Sequence, residues 1–326
     1  MRSAWYDRLG KAAEVLEVGD VETPTPGLGE VRVRVTVSGV NPVDVKRRAG
    51  GRGAQGDARI VPHFDGAGTI DAVGDGVSPK RVGQRVWIYE AQWQRNAGTA
   101  AEFVSLPQDL AIPLPGGASF TDGASLGIPA LTAHQCVFGD GSVDGQTVLV
   151  TGGAGAVGSY AVQFAALEGA RVIATVSGPE KAAIATASGA DAVVNYRTES
   201  VRERVLELTD GEGVDRIVEV DFGGNVTECV EILKRHAVIS TYASAVDPEP
   251  TVPFYLLLYR NITVRHELVF LMTDEAKAAA IADLDRWMSE GRLVHPEVTA
   301  FPLDQIVDAH EAVEQGAVGK VVIAFE

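Results

Sequence analysis

The residues with the clearest chemical promise are GAGAVG at 153–158. They follow a short apolar stretch at 147–151 and precede a run at 157–167 whose pattern predicts a helix. A strand, a glycine turn and a helix in that order form the unit that holds a dinucleotide pyrophosphate. Each glycine has its own reason. Gly153 is read as allowing the tight turn out of the strand. Gly155 has no Cβ, so a pyrophosphate can approach the backbone. Gly158 lets the helix pack close to the sheet. Ala154, Ala156 and Val157 complete the loop. The helix start adds unpaired N–H groups and the positive end of a dipole.

The next strand, 171–176, bears on which dinucleotide. A site for the 2′-OH form carries Asp or Glu about 20 residues past the glycines. Here the strand runs into VSGPEK at 176–181. Ser177 stands where the acid would, so nothing repels a 2′-phosphate, and Lys181 follows within reach. Glu180 falls in the expected first turn of a helix, where acids are favoured anyway. The balance favours NADPH.

Other residue types promise less. Cys136 and Cys229 are the only cysteines and form no CxxC pair, so each reads as a small buried hydrophobe. Residues 36–70 contain no cysteine and one histidine, His63, and no two of the six histidines are spaced i, i+4. A three-ligand catalytic metal centre is therefore not expected. By itself Asn41-Pro42 reads as a plain turn. His310-Glu311 reads as a packing or capping feature of an amphipathic helix.

These groups need a frame to hold them. A chain of 326 residues exceeds what one core usually organises, so two domains are expected. Residues 31–37, 66–74 and 85–89 read as strands separated by turns, which suggests a small barrel-like β domain. From about Ser119 strands alternate with helices. Strands are expected at 147–151, 171–176, 192–195, 216–220 and 237–241, and helices at 157–167, 180–188 and 201–208. That alternation means βαβ crossovers and a mostly parallel sheet. Helices at 273–291 and 304–315 and a strand at 320–325 close the chain, and this tail is expected to rejoin the first domain. The apolar stretch 253–259 reads most plainly as a helix buried in its own domain, with a pocket wall or a dimer surface as alternatives. Loops at 46–60, 88–98 and 246–270 are expected to shape an acceptor pocket.

The net charge of −16 and the lack of any basic run longer than KRR at 46–48 argue against nucleic-acid binding. No apolar run approaches the roughly 20 residues of a membrane helix. The first residues show no apolar segment of a signal peptide. The cytoplasm is the expected location.

Several motifs together carry a family resemblance. They are GVNPVD at 39–44, DGAG at 65–68 with VGDG at 73–76, GQRV at 83–86, GTAAEF at 98–103, GIPALTA at 127–133, the glycine loop, VNYR at 194–197 and AHE at 309–311. With them the chain resembles a zinc-free medium-chain dehydrogenase/reductase of the quinone oxidoreductase (ζ-crystallin-like) family, over nearly its whole length. The resemblance implies an α/β fold of two parts, with the active site in the cleft between them. A GroES-like β-barrel catalytic domain would span 1–120 and 266–326, and a Rossmann doubly wound parallel sheet binding NADPH would span 121–265. It also implies metal-free, NADPH-dependent reduction of a quinone or an α,β-unsaturated carbonyl by a homodimer.

Residues carry over one at a time. Asn41 matches an asparagine near the nicotinamide and substrate, and Asp44 the adjacent acid. Thr132 matches a threonine near the nicotinamide ribose or diphosphate. Ser177, Lys181 and Tyr196 match positions around the adenosine 2′-phosphate. The segment from Tyr242 to Ser244 matches a strand end near the cofactor, and Lys320 a C-terminal stretch that reaches it. Two departures stand out. Lys46 replaces a tyrosine found in several quinone reductases, and His63 replaces the glycine usual before the acid at 65. Both are placed on the substrate side. In the expected chemistry NADPH supplies the hydride, Asn41 donates a hydrogen bond to the charging oxygen, and solvent supplies the proton. Enoyl-reductase or alcohol-dehydrogenase activity on the same scaffold, and a non-enzymatic NADPH-binding sensor, remain the alternatives.

Overall fold

The computed structural model describes residues 1–51 and 58–325. The part of the expected acceptor loop at 52–57 lies outside them. The chain divides into two compact units, Met1–Ile128 with Leu284–Glu326, and Pro129–Asp283.

The first unit is organised by the strand Glu30–Val40. Its alternation buries Val31, Val33 and Val35 on one face, where they pack with Ile70, Val86, Ile88 and Leu106. One edge of this strand pairs antiparallel with Asp65–Val73. The other edge is shared: its first half pairs with Phe103–Pro107 and its second half with Lys320–Ala324. The C-terminal strand therefore does rejoin the N-terminal part of the chain. Val298–Pro302 lies beyond it, and Arg85–Ile88 and Ala111–Pro113 extend the far side. Among the described residues the hydrogen-bonded path stays open, so no ladder closes the expected barrel. The ladder of Glu30–Val40 with Asp65–Val73 shifts register between Arg32 and Val33 and again between Val35 and Val37.

The second unit holds six parallel strands. In spatial order they are Ala192–Asn195, Arg171–Val176, Thr147–Val150, Val214–Glu219, Leu233–Thr241 and Thr263–His266. By chain order this is 3-2-1-4-5-6, the doubly wound arrangement. Its direction reverses between Thr147–Val150 and Val214–Glu219, and ligands bind beyond the carboxyl ends at such a switch point.

Two local expectations change. The strand Thr263–His266 has no clear signal in the sequence, because it is four residues long and mostly exposed; its ladder with Leu233–Thr241 makes it a strand. The helix Phe254–Arg260 is not buried in its own unit: Phe254, Tyr255 and Tyr259 are 62%, 67% and 77% exposed. Of its apolar residues only Leu257 packs against the core of that unit.

Candidate functional site

The strand Thr147–Val150 leads into a turn whose left-handed residue is Gly152, at φ +63°. The tight turn therefore belongs to Gly152 and not to Gly153. Gly153 is glycine for another reason: a Cβ there would lie 2.6 Å from Ala174 Cβ on the neighbouring strand. Gly155 caps the helix Ala156–Leu167 and is exposed. A Cβ on it would meet only the Gly152 carbonyl, at 3.2 Å. On Gly158 a Cβ would lie 2.2 Å from the same carbonyl, so helix and turn are in direct contact. Ala154 is buried beneath the loop, while Ala156 and Val157 form the first helical turn. Uncovered backbone at the start of a 12-residue helix is a fitting cradle for a pyrophosphate.

The remaining positions expected near the cofactor in this unit, Thr132 aside, follow the carboxyl ends of the same sheet. Ser177 follows Val176 and Tyr196 follows Asn195, and those two strand ends are in register. The Tyr196 N–H donates to the Val176 carbonyl at 3.1 Å, and its ring is half exposed. Lys181 stands in the first turn of the helix Pro179–Ala187. These three residues share one corner of the unit.

Tyr242 follows the strand Leu233–Thr241, and its N–H donates to the Glu219 carbonyl at 3.2 Å. Burial pushes its phenol well above the usual range. The Ser244 hydroxyl is occupied within its own loop: it accepts from the Gly223 N–H at 2.9 Å and donates to the Asp247 carbonyl. Asp221 holds the same loop by accepting from the N–H groups of Ala245 (2.7 Å) and Val246 (3.1 Å). Sequence reasoning passes over Asp221, whose only signal is its place just past a strand. Thr132 lies buried within the helix Gly127–Phe138. The unit also contains a cavity of about 660 Å³ lined by His134, Phe138, Glu267, Leu271 and Asp283, among others.

In the first unit a buried polar cluster forms around Asn41, which precedes the helix Pro42–Arg48. Its N–H donates to Asp44 Oδ2 at 2.6 Å, an N-terminal cap. Its side chain is engaged at both ends: Lys320 Nζ donates to Oδ1 at 2.6 Å, and Nδ2 donates to Asp65 Oδ2 at 2.7 Å. The Ile128 N–H donates to Asp65 Oδ1 at 3.0 Å. Asn41, Asp44, Asp65 and Lys320 are all at most 2% exposed. Burial, reinforced by the Asp65 charge, pushes the Asp44 carboxyl up to about 8. Burial likewise raises Asp65, against the pull of Lys320, and lowers the Lys320 ammonium.

The family resemblance places Lys320 at the cofactor. In the structure its ammonium is held by Asn41 and Asp65, which face it across the strand ladder. Asp65 is legible in the sequence only as part of a glycine motif and not as a site residue. Lys46, by contrast, is exposed on the helix Pro42–Arg48 and takes no part in the cluster.

His63, expected on the substrate side, is wholly buried in a left-handed conformation at φ +78°. Both ring nitrogens are taken. Nδ1 lies 2.8 Å from Ser38 Oγ, and Nε2 lies 3.0 Å from His310 Nε2. Ser38 Oγ is 2.7 Å from Thr99 Oγ1, which bonds the Asp65 carbonyl. Counting hydrogens assigns the direction. Thr99 has one hydrogen, and the carbonyl needs it. Ser38 must therefore donate to Thr99, His63 Nδ1–H to Ser38, and His310 Nε2–H to His63. His310 Nδ1 is then a buried acceptor with no partner, in agreement with its isolation among the described residues. Burial holds both imidazoles neutral; burial and, second to it, the Arg48 charge lower His310 to about 3.

Among the described residues no group of three or more His, Cys, Asp or Glu is placed to hold a metal ion. Residues 27–116 match the family described as alcohol dehydrogenase GroES-like domain, and residues 156–285 match zinc-binding dehydrogenase. A quinone oxidoreductase-like protein 2 homolog of Nematostella vectensis is 30% identical over 335 residues, covering 99% of this chain and 88% of that protein. Mycobacterial structures, one of a quinone oxidoreductase and one of a protein complexed with NADPH, are each 29% identical. Each covers 100% of both chains with a TM-score of 0.87. The structure of an NAD-dependent alcohol dehydrogenase is 31% identical, covers 100% of both chains and has a TM-score of 0.91. The glycine loop, the doubly wound sheet and the shared Glu30–Val40 strand agree with these matches: the chain belongs to the quinone oxidoreductase family of medium-chain dehydrogenases/reductases.

Proposed function

We propose that this chain is an NADPH-dependent oxidoreductase whose acceptor is a quinone or an α,β-unsaturated carbonyl. The observation that carries the proposal is the carboxyl edge of the parallel sheet, where Ser177 replaces a ribose-binding acid and Lys181 and Tyr196 stand beside it. Bound NADPH supplies the hydride. The protein's part is to hold, orient and stabilise. Gly155 admits the pyrophosphate at the helix start, with Gly153, Ala154, Ala156, Val157 and Gly158 shaping the loop. Ser177, Lys181 and Tyr196 take the 2′-phosphate. Thr132, Tyr242 and the loop held by Ser244 line the path toward the nicotinamide. Asn41, kept in place by Asp44, donates to the acceptor oxygen as it gains charge. Lys46, exposed at the rim of its helix, meets only the outer part of a bulky acceptor. NAD-linked alcohol oxidation, the activity named for one structural neighbour, is disfavoured by Ser177.

The test is turnover of NADPH and NADH with a panel of quinones and enones, followed by loss of reduced-cofactor absorbance. Lys181→Ala is expected to weaken NADPH binding about tenfold, near 1.4 kcal/mol, and to leave NADH unchanged. Equal NADPH and NADH affinities in the unaltered protein would sink the 2′-phosphate argument.

A homodimer and a cytoplasmic location complete the proposal. The exposed apolar residues of the helix Phe254–Arg260 form the kind of patch that a second copy covers. The solution mass should then be near twice 34.3 kDa, and a monomeric mass would refute it. Two buried, unpaired cysteines suit a reducing compartment. No described helix is long and apolar enough to cross a membrane.

A further inference from the structure

We propose that Lys320 is a positioning residue that sets which way the Asn41 carboxamide faces, leaving one defined N–H of Asn41 to be offered to the acceptor. The proposal rests on the reading of Asn41 as a hydrogen-bond donor.

A carboxamide is nearly symmetric in shape, and its two ends exchange by a half turn. Only its partners distinguish them. At Asn41 the partners are of opposite charge. Lys320 Nζ has only hydrogens to give and sits 2.6 Å from Oδ1. Asp65 Oδ2, on the other side, lies 2.7 Å from Nδ2 and accepts. The flipped amide would set an NH₂ group against an ammonium and an oxygen against a carboxylate. Both bonds would be lost and both contacts would become repulsive, in a buried setting where water cannot screen them. The observed orientation uses one Nδ2 hydrogen on Asp65. The second has no partner among the described residues and is the only group of the Asn41 side chain still uncommitted.

The surroundings are shaped to admit this arrangement. A Cβ on Gly39 would lie 2.9 Å from Lys320 Cε and 3.1 Å from its Nζ. On Gly127 a Cβ would lie 2.0 Å from Asp65 Oδ1. Two glycines, on separate segments, thus leave the room that the ammonium and the carboxylate occupy. Burying such a pair adds little stability, since apolar residues of the same volume serve at least as well. What the ion pair supplies, and an apolar pair cannot, is a direction for the amide.

The decisive measurement is side-chain amide NMR of the whole protein, with the Asn41 signals assigned through Asn41→Ala. One Asn41 amide hydrogen is expected to exchange slowly with solvent and to be shifted by its carboxylate partner, with the two hydrogens well separated. Two Asn41 amide hydrogens that both exchange fast and both lie at ordinary amide shifts in the unaltered protein would overturn the proposal without any variant having to fold. A charge-neutral variant, Lys320→Met with Asp65→Asn, avoids leaving an unpaired buried ion. In it both hydrogens are expected to exchange fast and to lose the shift due to the carboxylate, kcat to fall about tenfold and NADPH affinity to stay within about twofold. Adding Asn41→Ala to that variant should cost only about a further tenfold, ending at the roughly hundredfold loss of Asn41→Ala alone, because both changes act through one amide. Fully additive losses in kcat would overturn the positioning role. If Asn41→Ala alone leaves kcat unchanged while the NMR signature is present, the donor role of Asn41 fails and the positioning by Lys320 stands.

Discussion

Asn41→Ala should lower kcat for quinone or enone reduction by about a hundredfold while leaving NADPH affinity unchanged, as expected for a lost donor to a charging oxygen. The reason lies in when the hydrogen bond matters. A neutral carbonyl oxygen gains little from one amide N–H, whereas the same oxygen bearing negative charge gains much more. The loss therefore falls on the chemical step. Single-turnover decay of reduced-cofactor absorbance at saturating acceptor isolates that step. A change confined to KM would assign Asn41 to ground-state binding. No change would remove it from the reaction. Asn41→Ala also leaves Lys320 and Asp65 facing each other at 3.5 Å. Their direct attraction keeps the cluster charge-balanced, so the variant should fold.

The second large effect is on stability against pH, and it has two arms of opposite sign. His310 is buried neutral, at about 3 in the folded chain. When unfolded, an imidazole takes up its proton near 6.5. As pH falls below 6.5 the unfolded chain binds more protons than the folded one at this residue, and stability is lost. Replacing it removes that penalty. His310→Gln keeps a donor for His63 Nε2. Relative to the unaltered protein it should gain roughly 2 kcal/mol between pH 6.5 and 4.5, a little under one proton over two pH units. Asp44 works the other way. Its folded carboxyl titrates near 8, against 3.8 when free. Between those values the folded chain holds the proton and the unfolded chain does not, so stability is lost as pH rises. Asp44→Asn should therefore gain on the unaltered protein from about pH 4 to pH 8. Denaturant unfolding across this range checks both arms. Parallel curves for His310→Gln and the unaltered protein would mean that His310 is protonated in the folded state.

The groups facing these two residues set the size of the effects. His310 meets His63 and the Arg48 guanidinium, and Arg48 is itself paired with Glu314. Asp44 meets Asp65, Lys320 and Arg47. His63 is also held neutral, and Asp65 is also raised, so the slope of the unaltered protein is a sum of opposed contributions. For that reason the comparison is between proteins at each pH and not along one curve.

Much of the second unit is legible in the amino-acid sequence. Parallel strands buried on both faces are short apolar runs, and the helices between them have their own period, so each element carries a local signal. The glycine loop is legible as well, because a pyrophosphate, a helix start and a close helix–turn contact impose their demands within six residues. The division of labour inside the loop is not. Gly153 and Gly152 are neighbours of identical type, and only backbone angles and the position of Ala174 reveal which one turns and which one packs. The helix Phe254–Arg260 misleads for a related reason. Composition shows that a segment is apolar, but not whether anything covers it.

In the first unit the balance is reversed. The alternating valines of Glu30–Val40 require a half-buried strand, yet its three partners come from residues 65–73, 103–107 and 320–324, and no local pattern names them. The polar cluster depends on those pairings. Asn41 meets Asp65 across 24 residues of chain and Lys320 across 279, and His63 meets His310 across 247. From residue types and spacing alone followed a dinucleotide loop, the missing acid at Ser177, and the absence of a recognisable metal-ligand pattern. Those features answer to neighbours a few residues away. That Lys320 meets Asn41 and Asp65, and that His63 is locked between Ser38 and His310, was decided by strand pairing. Register across a sheet places side chains together regardless of their separation in the chain, and a buried ammonium or imidazole then takes whichever partner that register presents.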